Sequence, residues 1–238
     1  MFDIRDIPFS YRGSWFDVSP VVAEKTVADD LHLVSHQTGM HAVLRLTPSA
    51  PATVTATPTV LAWQGGGGRI ELVYQTPDTI RLRGNGLGLR IAAASGTLTP
   101  FGGLYLYRDP VDGAHVFTSY ETGRRYRVTG PAAGAAGVEA LGDADRHLTL
   151  PADEPWEIAV EEFATARRPY RFDAGFDEAR RAAEQTFRRF VDAVAPWRSA
   201  RTPAAELAAY VLWSATVDPA GFFARPAVLM SKHWMDKV

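Results

Sequence analysis

The run WEIAVEEFATARRPYRFDAGFDEARRAAEQTFRRFVDAVAPW (156–197) holds two periods. Its opening, WEIAVEEF (156–163), alternates apolar and polar positions, as a half-buried strand does. From AGF onward, Phe176, Ala179, Ala183, Phe187, Phe190 and Val194 fall three or four residues apart, the spacing of one helix face. Between the two, EEFATARRPYRFD (161–173) is charged and proline-marked, as a connector is. Asp173 is expected to N-cap the helix and Pro196 to mark its exit.

Upstream, the strand period dominates from about residue 10 to residue 162. DLHLVS (30–35), HAVLRL (41–46) and RIELVY (69–74) alternate, and PATVTATPTV (51–60) is crowded with β-branched side chains. Gly65 to Gly68, Asn85-Gly86, Asp112-Gly113 and Thr122-Gly123 stand where hairpin turns are expected. This spacing predicts a mainly β fold, a large antiparallel sandwich over 1–162, with GPAAGAAG (130–137) as a surface excursion.

Downstream, residues 163–202 read as a linker with the first long helix. Thr202-Pro203 announces a second helix, Thr as cap and Pro in the first turn, running through Leu207, Tyr210, Val211 and Ser214 to about Val217. Leu207, Ala208, Tyr210, Val211, Leu212 and Trp213 make it apolar nearly all round, so it expects a cover of protein. Two helices are too few to supply one, which points to a sequence that continues.

Composition sets outer limits. Of 238 residues, 46% are apolar and 22% charged, an ordinary globular balance. With 25 Lys plus Arg against 27 Asp plus Glu, the chain has no electrostatic reason to bind nucleic acid or an anionic membrane. It has no cysteine, so disulfides and thiolate metal sites are excluded. The start lacks an apolar signal region, and no run reaches the roughly 18 apolar residues of a membrane span, so a cytoplasmic protein is expected.

Several motifs have plain structural readings. Gly65 to Gly68 and GNGLG (84–88) lack the following helix and the Gly-Lys-Ser/Thr ending of a phosphate loop, so both read as hairpin turns. His32 and His36 on one strand face stand ~13 Å apart, too far to share a metal with each other and His41. No Gly-x-Ser-x-Gly elbow anchors a serine hydrolase. Glu121, Asp218 and Asp236 lie near aromatics, but nothing in the sequence gives any of them a partner. FSYRGSWFDVS (9–19) sets Phe9, Tyr11, Trp15 and Phe16 around Arg12 and Gly13. Such a cluster either recognises a sugar by stacking and cation contacts, or pins the N-terminal strand and seals an interface, the plainer reading.

GFFARPAVLMSKHWMDKV (221–238), with the helix pair before it, resembles the approach to the catalytic barrel of glycoside hydrolase family 63-like enzymes. That is the α-glucosidase, amylo-α-1,6-glucosidase and glucosylglycerate hydrolase group. The likeness lies in Arg225-Pro226, Met230-Ser231-Lys232, Trp234-Met235 and Lys237-Val238. RGSWFDVS (12–19) also looks like the opening of that family's β-sandwich. The resemblance implies a sandwich, a linker of helices, and then an (α/α)6 barrel beginning at 203–238 and cut short before its chemistry. It implies an inverting enzyme acting on α-linked glucosides, with general acid and base beyond residue 238 and no cofactor. Trp234 would line or support the sugar pocket, or pack the barrel. Lys232 would hydrogen-bond a substrate hydroxyl or an acidic aglycone, or stand as a solvated charge. The rival is a complete, non-catalytic sandwich that binds carbohydrate or a partner protein. The sequence itself sets no oligomeric state.

Overall fold

In a computed structural model, residues 1–23, 26–94, 104–130, 139–140 and 146–232 are described. The first strands are β1 (Phe16–Ala23), β2 (Thr26–Ser35), β3 (His41–Pro48), β4 (Thr53–Ala56), β5 (Leu61–Gly65), β6 (Gly68–Thr76) and β7 (Thr79–Asn85). They are followed by β8 (Leu89–Ala93), β9 (Leu104–Arg108), β10 (His115–Ser119), β11 (Arg124–Thr129), β12 (Glu139–Ala140), β13 (His147–Leu150) and β14 (Trp156–Phe163). The helices are α1 (Phe176–Val194) and α2 (Ala205–Ala215), and a short ribbon joins β15 (Thr216–Val217) to β16 (Ala227–Val228).

The fold is mainly β. One sheet has six strands in the order β1-β2-β3-β8-β13-β12, the other eight in the order β4-β5-β6-β7-β14-β11-β10-β9. All the pairings are antiparallel. The alternation explains the packing. Val18, Leu33, Leu44 and Ile91 of the first sheet meet Ile70, Leu72, Leu82, Tyr126 and Ile158 of the second in one buried cluster. The odd members of β6 and β7, Glu71, Val73, Arg81 and Arg83, are left for the far side of the larger sheet.

That far side is covered in turn. Val73 packs against Phe176 and Ala179 of α1. The connector between β14 and α1 has no ladder of its own, so its carbonyls need other donors. Arginines supply them: Arg127 donates to the carbonyls of Arg167 (3.3 Å) and Arg168 (3.1 Å), Arg125 to Thr165, and Arg81 to Ala174 (3.2 Å). Arg81 also bonds the Tyr170 hydroxyl and Glu157 and lies over the Phe172 ring, 4.6 Å from its centre.

Four details correct the sequence reading. Asn85-Gly86 does not turn a hairpin but carries the chain from one sheet to the other, since β7 and β8 lie in different sheets. Its glycine takes a φ of +69°, and the close approach there requires a second glycine: a Cβ on Gly68, at the tip of the β5–β6 hairpin, would sit 2.0 Å from the Gly86 carbonyl carbon. The α1 cap position is Gly175 rather than Asp173, and Val191 rather than Val194 turns inward. Thr202 does not cap α2, which opens after Ala204; its hydroxyl serves the preceding turn through the Ser199 N–H, at 2.8 Å. Residues 131–137 of the glycine-alanine stretch lie outside the described residues. Among the described residues no helix is long and apolar enough to cross a membrane.

Candidate functional site

The stretch 9–19 is the seam between the sandwich and the helices. Phe9 pairs with Val18 through two backbone bonds of 3.0 and 2.9 Å. Phe9 and Phe16 enter the core beside Tyr74, and Tyr11 meets the Trp213 ring edge-on at 4.8 Å. The Tyr210 hydroxyl, fully buried, accepts from the Ser10 N–H and donates to the Pro8 carbonyl, both at 3.1 Å. Most of the aromatic cluster therefore seals an interface. Trp15 is the exception, and it faces a cleft.

Gly13 positions the next element. Its N–H donates to the Thr216 carbonyl at 2.8 Å, and its own carbonyl accepts from the Asp218 N–H at 3.0 Å. Its φ is +94°, and a Cβ there would lie 2.5 Å from Asp218 Oδ2, so the carboxylate rests on the bare α-carbon. The Trp15 indole N–H donates to the Asp218 carbonyl at 2.9 Å, and its ring tilts against Phe223, centres 5.7 Å apart.

Lys232 closes the same seam from the other end of the chain. Only 2% exposed, it donates from Nζ to Ser10 Oγ at 2.8 Å and to the Ser14 carbonyl at 3.0 Å. Ser10 passes its own hydrogen to the Phe16 carbonyl at 3.1 Å. Burial lowers the Lys232 pKa to about 8, against the charges of Asp17 and Glu162, which favour the ammonium. The charge is thus not solvated, and the partners of its ammonium are protein atoms. Trp234 lies outside the described residues.

Beside this seam opens a cleft of about 680 Å³. Trp15 and Asp218 form one side, Gln37, Arg124 and Glu162 another, and Asp78 with Arg167 a third. Glu162 is 7% exposed and accepts from the Tyr126 hydroxyl at 3.1 Å and from the Gln37 amide at 3.4 Å. Arg124 donates to the Gln37 side-chain amide oxygen, Oε1, at 2.7 Å. Desolvation raises the Glu162 pKa, opposed by the Arg124 charge and the Tyr126 bond. Burial works against the Asp78 charge as well, but hydrogen bonds from Arg167 (2.6 Å) and Thr76 (2.5 Å) hold its carboxyl below its ordinary range.

Sequence reasoning misses Glu162, although its signal is present. In WEIAVEEF the inward positions are Trp156, Ile158 and Val160, and the next in step is Glu162. A carboxyl in a core-facing register position needs partners or a function. Of the three carboxylates singled out from the sequence, Asp218 joins the cleft. Glu121 lies 3.6 Å from His41, and Asp236 is outside the described residues. The histidines separate: His36 bonds Asp17 at 2.8 Å, His32 contacts the Asp30 carbonyl at 3.1 Å, and His41 faces Glu121.

A second open cleft, about 820 Å³, lies over the glycine hairpin on the far face of the larger sheet. Its charges are spent on one another: Glu71 takes Arg69 and Arg83, each at 2.8 Å. Among the described residues no three His, Asp or Glu side chains converge as metal ligands. No protein-family model matches the chain, and no curated protein matches it. The Trp15 cleft, with donors, acceptors and one aromatic wall, is the arrangement best suited to a small polar ligand.

Proposed function

We propose that residues 1–238 are the sandwich and first helices of an inverting α-glycoside hydrolase acting on α-linked glucosides, with general acid and base outside these residues. The observation that carries the reading is the half-finished cover of α2. This helix buries Ala209, Tyr210 and Trp213 against α1 and the N-terminal segment. Its other side keeps Leu207, Val211 and Leu212 exposed at 39%, 38% and 40%. A helix apolar on both sides suits an inner layer, and in this reading further helices of an (α/α)6 barrel complete it. The likeness of residues 221–238 to the approach to such a barrel supports the same assignment. Lys232 then fixes that approach to the sandwich, and Trp234, two residues on, lines or supports the sugar pocket.

In such an enzyme one carboxylic acid protonates the leaving oxygen while a carboxylate activates water, the pair ~6.5–9.5 Å apart. The test is to express the polypeptide encoded by the natural gene, offer it maltose, and follow the first-formed glucose anomer by proton NMR. The β-anomer is expected from that polypeptide, and no turnover from residues 1–238 alone. Enzyme-like hydrolysis by residues 1–238 would overturn the placing of the chemistry, and retention or complete inactivity of the natural polypeptide would overturn the reading. A second reading, a non-catalytic sandwich that binds carbohydrate, is favoured by one observation, the cleft beside Trp15.

A further inference from the structure

We propose that the cleft beside Trp15 is a saccharide-binding site, the indole forming its stacking wall and Gln37, Arg124, Glu162 and Asp218 meeting sugar hydroxyls. It rests on the glycosidase reading only in the choice of an α-glucan as the first probe.

The size fits. A cleft of about 680 Å³ lies within the roughly 300–1,000 Å³ of small-molecule sites, and it admits a short oligosaccharide. The chemistry fits more closely. A pyranose offers an apolar C–H face and a rim of hydroxyls that both donate and accept. The cleft answers with one aromatic face, guanidinium and amide donors, and carboxylate and amide acceptors.

Charge selects for a neutral ligand. Arg167 is already bonded to Asp78 at 2.6 Å and stands 3.0 Å from Glu161. Arg124 is committed to Gln37 beside Glu162. An anion would meet Glu162, Asp218 and Asp78, and a cation would meet the two arginines. A polyol meets neither penalty.

The groups are also fixed in advance, which lowers the ordering cost of binding. Trp15 is held by its indole bond to the Asp218 carbonyl and by Phe223. Asp218 is held by the bare α-carbon of Gly13, and Glu162 by Tyr126 and Gln37.

The experiment is saturation-transfer NMR on the 238-residue chain with maltotriose, and with cellotriose as the β-linked arm, backed by titration of tryptophan fluorescence. Transfer to maltotriose is expected, with Trp15→Ala weakening the affinity about ten-fold or more. Because Trp15 also braces Asp218, Arg124→Ala and Gln37→Ala are made in parallel, each expected to weaken binding several-fold while circular dichroism shows the protein still folded. Transfer to cellotriose alone supports the saccharide site and counts against the α-glucoside reading that chose the first probe. No transfer to either sugar from folded protein overturns the proposal, as does binding that all three variants leave intact. Binding without hydrolysis by the natural polypeptide would remove the enzyme reading alone; hydrolysis without binding here would remove this site alone.

Discussion

The Lys232 ammonium lies 2.8 Å from the Ser10 hydroxyl, across 222 positions of sequence, and it is buried. The bond ties the segment after β16 to the first residues of the sandwich. A buried charge is expensive, and desolvation lowers the pKa from 10.5 to about 8. Below pH 8 both folded and unfolded chains carry the proton, and the cost is present in full. Between 8 and 10.5 the unfolded chain binds more protons than the folded one, so stability rises with pH. Lys232→Met removes the titration while keeping side-chain length. Relative to that variant, the native chain should gain about 1.4 kcal/mol per pH unit above 8. Urea unfolding of both proteins across this interval reads the difference. A flat difference would mean the ammonium is not desolvated.

Gly13→Ala should be among the most costly single changes in the seam. It forces a β-carbon onto a residue with φ of +94° and drives it into Asp218. The backbone part alone costs on the order of 1–3 kcal/mol. Adding Asp218→Ala should restore part of the stability by removing the clash, leaving the backbone cost. Denaturant unfolding of the single and double variants gives the coupling. Strict additivity would show that the two residues do not press on each other.

The sandwich is legible in the sequence because its inward positions repeat every second residue, as Ile70, Leu72 and Tyr74 or Ile80 and Leu82 show. The helix pair is legible for the analogous reason at its own period. What the sequence hides is contact across distance. Asn85-Gly86 has the composition of a hairpin turn, and only the pairing of β7 with β14 reveals it as a crossover. Lys232 looks like a surface charge until Ser10 and Ser14 close over it. The cleft is assembled from the N-terminal seam, the β2–β3 and β6–β7 turns, β11, β14, the connector before α1 and residues after α2, seven places with no shared local pattern. Glu162 alone announces itself, by standing in an apolar rank.

Glu162 gives a pH dependence of opposite sign. Desolvation raises its pKa above 4.5 in the folded protein, so the folded chain binds the proton more tightly. Its stabilising contribution is complete below about 4.5 and is lost as pH rises through the folded value. Glu162→Gln cannot ionise and still accepts from Tyr126. Its stability relative to the native chain should therefore climb from pH 4.5 upward and then level off. Parallel urea titrations of the two proteins test this, and a difference independent of pH would place the carboxyl in contact with solvent.

The exposed side of α2 separates the two functional readings. Val211→Lys together with Leu212→Lys adds charge to residues 38% and 40% exposed in residues 1–238. In residues 1–238 alone the change should cost no more than about 0.5 kcal/mol per site. It should also reduce self-association seen by sedimentation velocity, because an apolar patch is interrupted. In the polypeptide encoded by the natural gene, further helices are proposed to cover the same residues, and two lysines buried there lack partners. The expected loss then reaches several kcal/mol, with hydrolysis falling as the barrel separates from the sandwich. Equal tolerance in both contexts would leave α2 facing solvent and favour the free-standing binding module.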